Sequence, residues 1–150
     1  MNQIEKALDI ALKAHAGEKD LDGNPVILHP LTVGMNGRIE AEKVAGFLHD
    51  VVEDTGWTFD DLLREGISEE VVDALRLLTH DKSISYKDYV QHIAQSNNPT
   101  AIWVKYCDLT HNLQRGRAGG HWEQVAKHEK AYEVIKPIAI KLPLHINDRQ

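Results

Sequence analysis

The sequence predicts an all-α protein, a helical bundle of about seven helices forming one domain over residues 1–150. Three observations carry this expectation. Apolar residues recur at three- and four-residue spacing through most of the chain, alternating strand patterns are weak, and several helices open on capping residues such as Thr58, Ser68 and Asn98.

The elements follow in chain order. Ile4, Ala7, Leu8, Ala11, Leu12 and His15 form one face of an amphipathic first helix that Gly17 ends. Residues 20–25 read as a loop turning at Asp22-Gly23. A second helix begins near His29-Pro30, where proline is tolerated in the first turn, and extends toward Ile39 past Gly34 and Gly37. Residues 40–52 read as one continuous, strongly apolar third helix. Thr58 caps the next, with Asp60 and Asp61 in its first turn. Ser68 opens another with Val71, Val72, Leu75 and Leu78 inside, and residues 85–95 bury Tyr89, Val90 and Ile93. Asn98-Pro99 starts a long helix through Ile102, Val104, Cys107, Leu109 and Leu113, expected to break at Gly116 and Gly119-Gly120. Residues 121–135 make the last clear helix before Pro137, and residues 138–146 are either extended or loop.

Composition narrows the function. With 42% hydrophobic and 27% charged residues the chain reads as a soluble globular domain. A net charge of −6 argues against coating duplex nucleic acid. No apolar run approaches the roughly 20 residues of a membrane span. A signal peptide is not expected, and the single cysteine, Cys107, suits a reducing cytoplasm as a small core residue. A small anionic substrate fits if a metal and a few lysines make a local positive field.

The chemistry concentrates in one constellation. His49-Asp50 closes an apolar helical run and Glu53-Asp54 follow one turn later. One imidazole and three carboxylates are rarely buried together without a compensating cation. His29 upstream and Asp108 downstream complete two nitrogens and two anionic oxygens for one divalent ion. That donor set suits Mn²⁺, Fe²⁺, Co²⁺ or Ni²⁺ in an open, octahedral site. Adjacent Glu53 and Asp54 repel, so one is expected to have a raised pKa and serve as acid. His49 should donate its second ring N–H to a fixed acceptor that the sequence does not identify. Lys19, Lys82 and Asn112 are the candidate substrate contacts. His15 and His111 read as structural, while His80, His92, His121, His128 and His145 default to the surface. Arg115 and Arg117 read as either a basic rim or, preferably, a helix C-terminus answering its dipole, and Trp103 as core.

Ala14-His15, Gly23-Asn24-Pro25, His29-Pro30, the octapeptide LHDVVEDT at 48–55, and Asp108 with His111-Asn112 resemble the HD-domain phosphohydrolases. The likeness, over roughly residues 4–135, is nearest to the RelA/SpoT hydrolase domain and the small alarmone hydrolases. It implies an all-α fold and Mn²⁺-dependent removal of the 3′-pyrophosphate from guanosine tetra- and pentaphosphate. His29, His49, Asp50 and Asp108 match the metal ligands, Glu53 and Asp54 the acidic pair that handles water, and Asn112 a substrate contact. The segment with Thr79, His80 and Lys82 takes the place of a Thr/Lys-containing one. The departures fall on the substrate side: Val26 replaces a tyrosine, Glu18-Lys19 an Arg-Lys pair, and Leu109 an arginine. Other readings are a different phosphoester (5′-nucleotidase-like) and a non-catalytic nucleotide-sensing module. The oligomeric state, a homo-oligomer included, is left open.

Overall fold

The computed structural model describes residues 1–143. Among them are nine helices: α1 (Gln3–Ala14), α2 (Leu28–Met35), α3 (Glu40–Leu48), α4 (Val51–Asp54), α5 (Phe59–Arg64), α6 (Glu69–Leu78), α7 (Tyr86–Ala94), α8 (Pro99–Gly119) and α9 (Trp122–Ala139). The only β pairing among the described residues is an isolated bridge between Lys19 and Pro25. It closes the turn at Gly23 (φ 82°), where Asp20 Oδ1 accepts from Asp22 N and Asn24 N, both at 2.9 Å.

Starts are set by side-chain caps. Asn2, Thr58, Ser68, Ser85 and Asn98 each accept from a backbone N–H in the first turn of the helix they precede. The core centres on α3, whose Val44, Ala45, Phe47 and Leu48 are buried against α1, α2, α6 and α8. Each such Leu or Phe contributes about 1.5–3 kcal/mol by leaving water.

Four boundaries differ from the sequence expectation. The helix expected over 40–52 is two, because the backbone relaxes at Asp50 (φ −100°, ψ −4°) and the His49 ring donates to Gly46 O at 2.7 Å. α2 stops at Met35, since Gly37 packs where a Cβ would lie 2.5 Å from Lys43 N. α8 passes through Gly116, which serves close packing: a Cβ there would meet Val125 Cγ2 at 3.0 Å. The helix ends at Gly120, in the left-handed region at φ 72°. α9 runs past Pro137, because burying Ile135 and Ala139 against the core offsets one lost backbone hydrogen bond. Of the segment 138–146, residues 138–139 are therefore helical, and 144–146 lie outside the described residues.

The α2–α3 contact has the tightest tolerance. A Cβ on Gly46 would sit 2.7 Å from Gly34 Cα and 2.8 Å from Gly34 N, and one on Gly34 would overlap the Phe47 ring. This approach brings His29 on α2 beside His49 at the end of α3. Gly46→Ala gains about 1 kcal/mol of helix propensity, yet overpacking against backbone is expected to cost about 1–3 kcal/mol beyond that gain. Urea unfolding measures it; a variant as stable as the parent would contradict the packing account.

Candidate active site

Three helical segments bring four side chains to one point. His29 comes from the first turn of α2, His49 and Asp50 from the α3–α4 junction, and Asp108 from the middle of α8. Asp108 Oδ1 lies 2.8 Å from His29 Nε2 and 3.3 Å from His49 Nε2. The two Nε2 atoms are 3.2 Å apart, and Asp50 Oδ2 is 3.3 Å from His49 Nε2 and 3.9 Å from His29 Nε2. Nitrogen and oxygen ligands held about 2.1 Å from one ion at right angles lie about 3 Å apart. His29, His49 and Asp50 offer ligand atoms close enough together to hold one divalent cation, and Asp108 Oδ1 adds an oxygen beside both histidine nitrogens. The relaxed backbone at Asp50 matters here. On a regular helix adjacent side chains diverge by about 100°.

The far nitrogens are committed, which leaves both Nε2 atoms facing inward. His49 Nδ1–H donates to Gly46 O, the acceptor that the sequence left unidentified. His29 Nδ1 is 2.7 Å from His111 Nδ1, with the rings stacked at 5.0 Å and 8°. His111 thus orients His29 from behind. Burial would lower His49, but the Asp50 and Asp108 carboxylates outweigh it and lift its pKa to about 9. Burial dominates at His29, which is lowered. Burial would raise Asp108, but Lys105 and the two histidines hold it well below the usual carboxylate range.

The acidic pair stands on α4. Glu53 Oε1 accepts from His80 N at 2.7 Å, and Oε2 lies 3.4 Å from Lys82 Nζ. Desolvation, reinforced by Asp50 and Glu53, pushes Asp54 up to about 6. The raised pKa of Asp54 is a detail beyond the sequence.

His29, Asp50 and Asp108 of the cluster and both members of the pair line one cavity of about 440 Å³. Lys82 and Asn112 line it, with Asn112 donating to Asp108 Oδ1 at 3.0 Å and accepting from Arg115 Nη2 at 2.8 Å. Lys19 does not line it: it is exposed on the bridge to Pro25, and the turn sends Asp20 into the cavity instead. Arg115 also lines the cavity, 3.7 Å from Asp20, so its reading as a simple helix terminus is corrected; Arg117 pairs outside with Glu129. His80, His121 and His128, assigned to the surface, all line the cavity, because the α6–α7 connection and α9 fold over it. His92 is exposed, and His145 lies outside the described residues. His15 is buried with neither ring nitrogen hydrogen-bonded among the described residues. Trp103 is half-buried under Arg38 and donates to Asn36 O, and burial pushes Cys107 up to about 12.

Sequence reasoning missed Lys105, Lys127, Tyr86 and Tyr89. Lys105 is buried and bonded to Asp108 Oδ2 at 3.0 Å. Its i,i+3 spacing from Asp108 was the available signal. Lys127 lies 4.1 Å over the Tyr86 ring, and nothing local in α9 points to it.

Desolvation holds His128 at about 4. The folded pKa lies below the unfolded value of about 6.5, so stability is lost as pH falls from about 6.5 toward 4. In chelator, His128→Gln is expected to lose less of its melting temperature than the parent between pH 7 and pH 5. Equal losses would contradict the burial assignment.

No protein-family model matches the chain. It is 30% identical to a GTP pyrophosphokinase of Streptomyces coelicolor, over 97% of this chain and 18% of that protein. It is 25% identical to the guanosine-3′,5′-bis(diphosphate) 3′-pyrophosphohydrolase of Aquifex aeolicus, over 93% of this chain and 21% of that one. The chain thus spans about a fifth of the length of these curated relatives. Its fold matches a solved structure described as a metazoan ortholog of SpoT that hydrolyzes ppGpp, with a TM-score of 0.74, 22% identity, and coverage of 90% of this chain and 84% of that one. In sequence the chain resembles part of these RelA/SpoT-type proteins, and in fold it is similar to the SpoT ortholog.

Proposed function

We propose that the chain is a metal-dependent pyrophosphohydrolase that removes the 3′-pyrophosphate from guanosine 3′,5′-bis(diphosphate)-like nucleotides, with His29, His49, Asp50 and Asp108 holding the ion. The observation that carries this reading is the convergence of His29, His49, Asp50 and Asp108 beside a cavity that His29, Asp50 and Asp108 line together with the Glu53–Asp54 pair. Mn²⁺ is the first candidate, with Fe²⁺, Co²⁺ and Ni²⁺ compatible with the same donors. Bound there, the ion supplies Lewis-acid chemistry, acidifying water and withdrawing charge from a phosphoryl oxygen.

The chain's own residues do the rest. Glu53, fixed by His80 N–H and Lys82, orients the attacking water and takes its proton on a carboxylate oxygen. Asp54, raised to about 6, takes up a proton more readily than an ordinary carboxylate and passes it to the leaving oxygen. Lys82, Arg115 and Lys127 face the cavity as phosphate contacts, and Asn112 adds a neutral donor. The substrate is a small nucleotide met in the cytoplasm, not duplex nucleic acid or a membrane; no helix among the described residues is long and apolar enough to cross one.

A second reading keeps the site and changes the substrate. Asp20 and Asp22 line the cavity where a polyanion would be repelled, which favours a nucleotide presenting a base edge or sugar there and only one phosphate at the ion. Product analysis with Mn²⁺ separates the two. The first reading expects pyrophosphate from the guanosine bis(diphosphate), the second orthophosphate from a nucleoside monophosphate. Glu53→Gln is expected to retain Mn²⁺ and lose about 10²–10⁴-fold in kcat with little change in KM. No turnover across a nucleotide panel would falsify both readings, and tight nucleotide binding without turnover would mark a sensing module.

A further inference from the structure

We propose that Lys105 is a positioning residue that reserves one oxygen of Asp108 for the ion and withholds the other, keeping a coordination position open for water or substrate. The inference rests on the metal reading above and deepens it. Asp108 presents its two oxygens to different partners. Oδ1 faces His29 Nε2 at 2.8 Å, His49 Nε2 at 3.3 Å and Asn112 Nδ2 at 3.0 Å. Oδ2 faces Lys105 Nζ at 3.0 Å.

Lys105 is fixed in that role by its surroundings. It is only 6% exposed. Its ammonium also lies 3.4 Å from the Tyr89 hydroxyl, and 4.9 and 5.5 Å from the ring centres of Tyr89 and Tyr86. Tyr89 in turn donates to Leu78 O at 2.6 Å, which ties the group to the end of α6. The three-residue spacing on α8 sets Lys105 and Asp108 on one face.

A carboxylate binds a divalent ion through one oxygen or both. Two-oxygen binding consumes a position that otherwise carries water. With Oδ2 bonded to a buried ammonium, that mode would strand the ammonium without its partner, a strongly unfavourable change. A cation beside a cation site also repels the ion, so tighter metal binding does not account for the lysine. Control of geometry does.

The test compares Lys105→Met, which keeps the apolar stem, with Lys105→Arg, which keeps charge and donors. Each protein is saturated with Mn²⁺, and water-proton relaxivity per bound ion counts the waters in direct contact. For an octahedral ion with four protein ligands the Met variant is expected to show about half the directly bound water of the parent, and Arg to restore it. With saturating Mn²⁺, kcat for the guanosine bis(diphosphate) should fall about 10–100-fold in the Met variant, with KM moving far less. A lower melting temperature with unchanged relaxivity would mark a structural role and overturn the inference alone. Should Lys105→Met not fold, Lys105→Gln is judged by the same relaxivity. A parent protein that binds no Mn²⁺ overturns the metal reading and this inference with it.

Discussion

Two imidazole nitrogens and a carboxylate oxygen, all buried, stand within 3.3 Å of one another. Lone pairs so placed repel unless something positive lies between them, since buried unpaired polar groups cost free energy and buried charges more. The Asp50 and Asp108 carboxylates beside His49 outweigh its burial and lift its pKa to about 9. The rest of the structure keeps these atoms together. α2 and α3 meet glycine to glycine, His111 and Gly46 fix the rings from behind, and Lys105 holds the far oxygen of Asp108.

Such a site is stable only because hydrophobic packing supplies the favourable free energy elsewhere. The apolar faces of α1, α3, α6 and α8 bury Ile10, Val44, Leu48, Leu75 and Leu109 almost completely. The polar cluster occupies the margin of that core, where it opens toward the cavity. Function and stability therefore share α3, whose middle is packing and whose end is chemistry.

Periodicity and caps made the helices legible, because both act within a turn or two of chain. Thr58, Ser68 and Asn98 cap where the sequence places them. The misplaced boundaries all turned on tertiary contact. Gly116 is a packing notch rather than a break, Pro137 is tolerated inside α9, and the kink after Leu48 answers the geometry of the cluster. The same division holds for the site. The four clustered residues and the acidic pair announce themselves through residue type in an apolar setting. Arg115, Lys127, His80, His121 and His128 depend on which faces of α8, α9 and the α6–α7 connection turn toward the cavity, and no local pattern encodes that. Lys19 shows the converse, since one turn of loop directs Asp20 inward and the lysine outward.

The cavity mixes signs along its wall, with Lys82, Lys105, Arg115 and Lys127 set against Asp20, Asp22 and the acidic pair. On the proposed function, the nucleotide is oriented as well as attracted, its phosphates toward the lysines and its less charged end toward the aspartates. All of this presumes that the cluster takes a cation, and thermal unfolding with and without Mn²⁺ tests it most directly. A ligand bound only by the folded state at about 100 times its Kd stabilises by about 2.7 kcal/mol. The parent is expected to melt several degrees higher with Mn²⁺ and Asp108→Ala to show no such rise; a midpoint indifferent to Mn²⁺ in the parent, or an equal rise in both, would contradict the account.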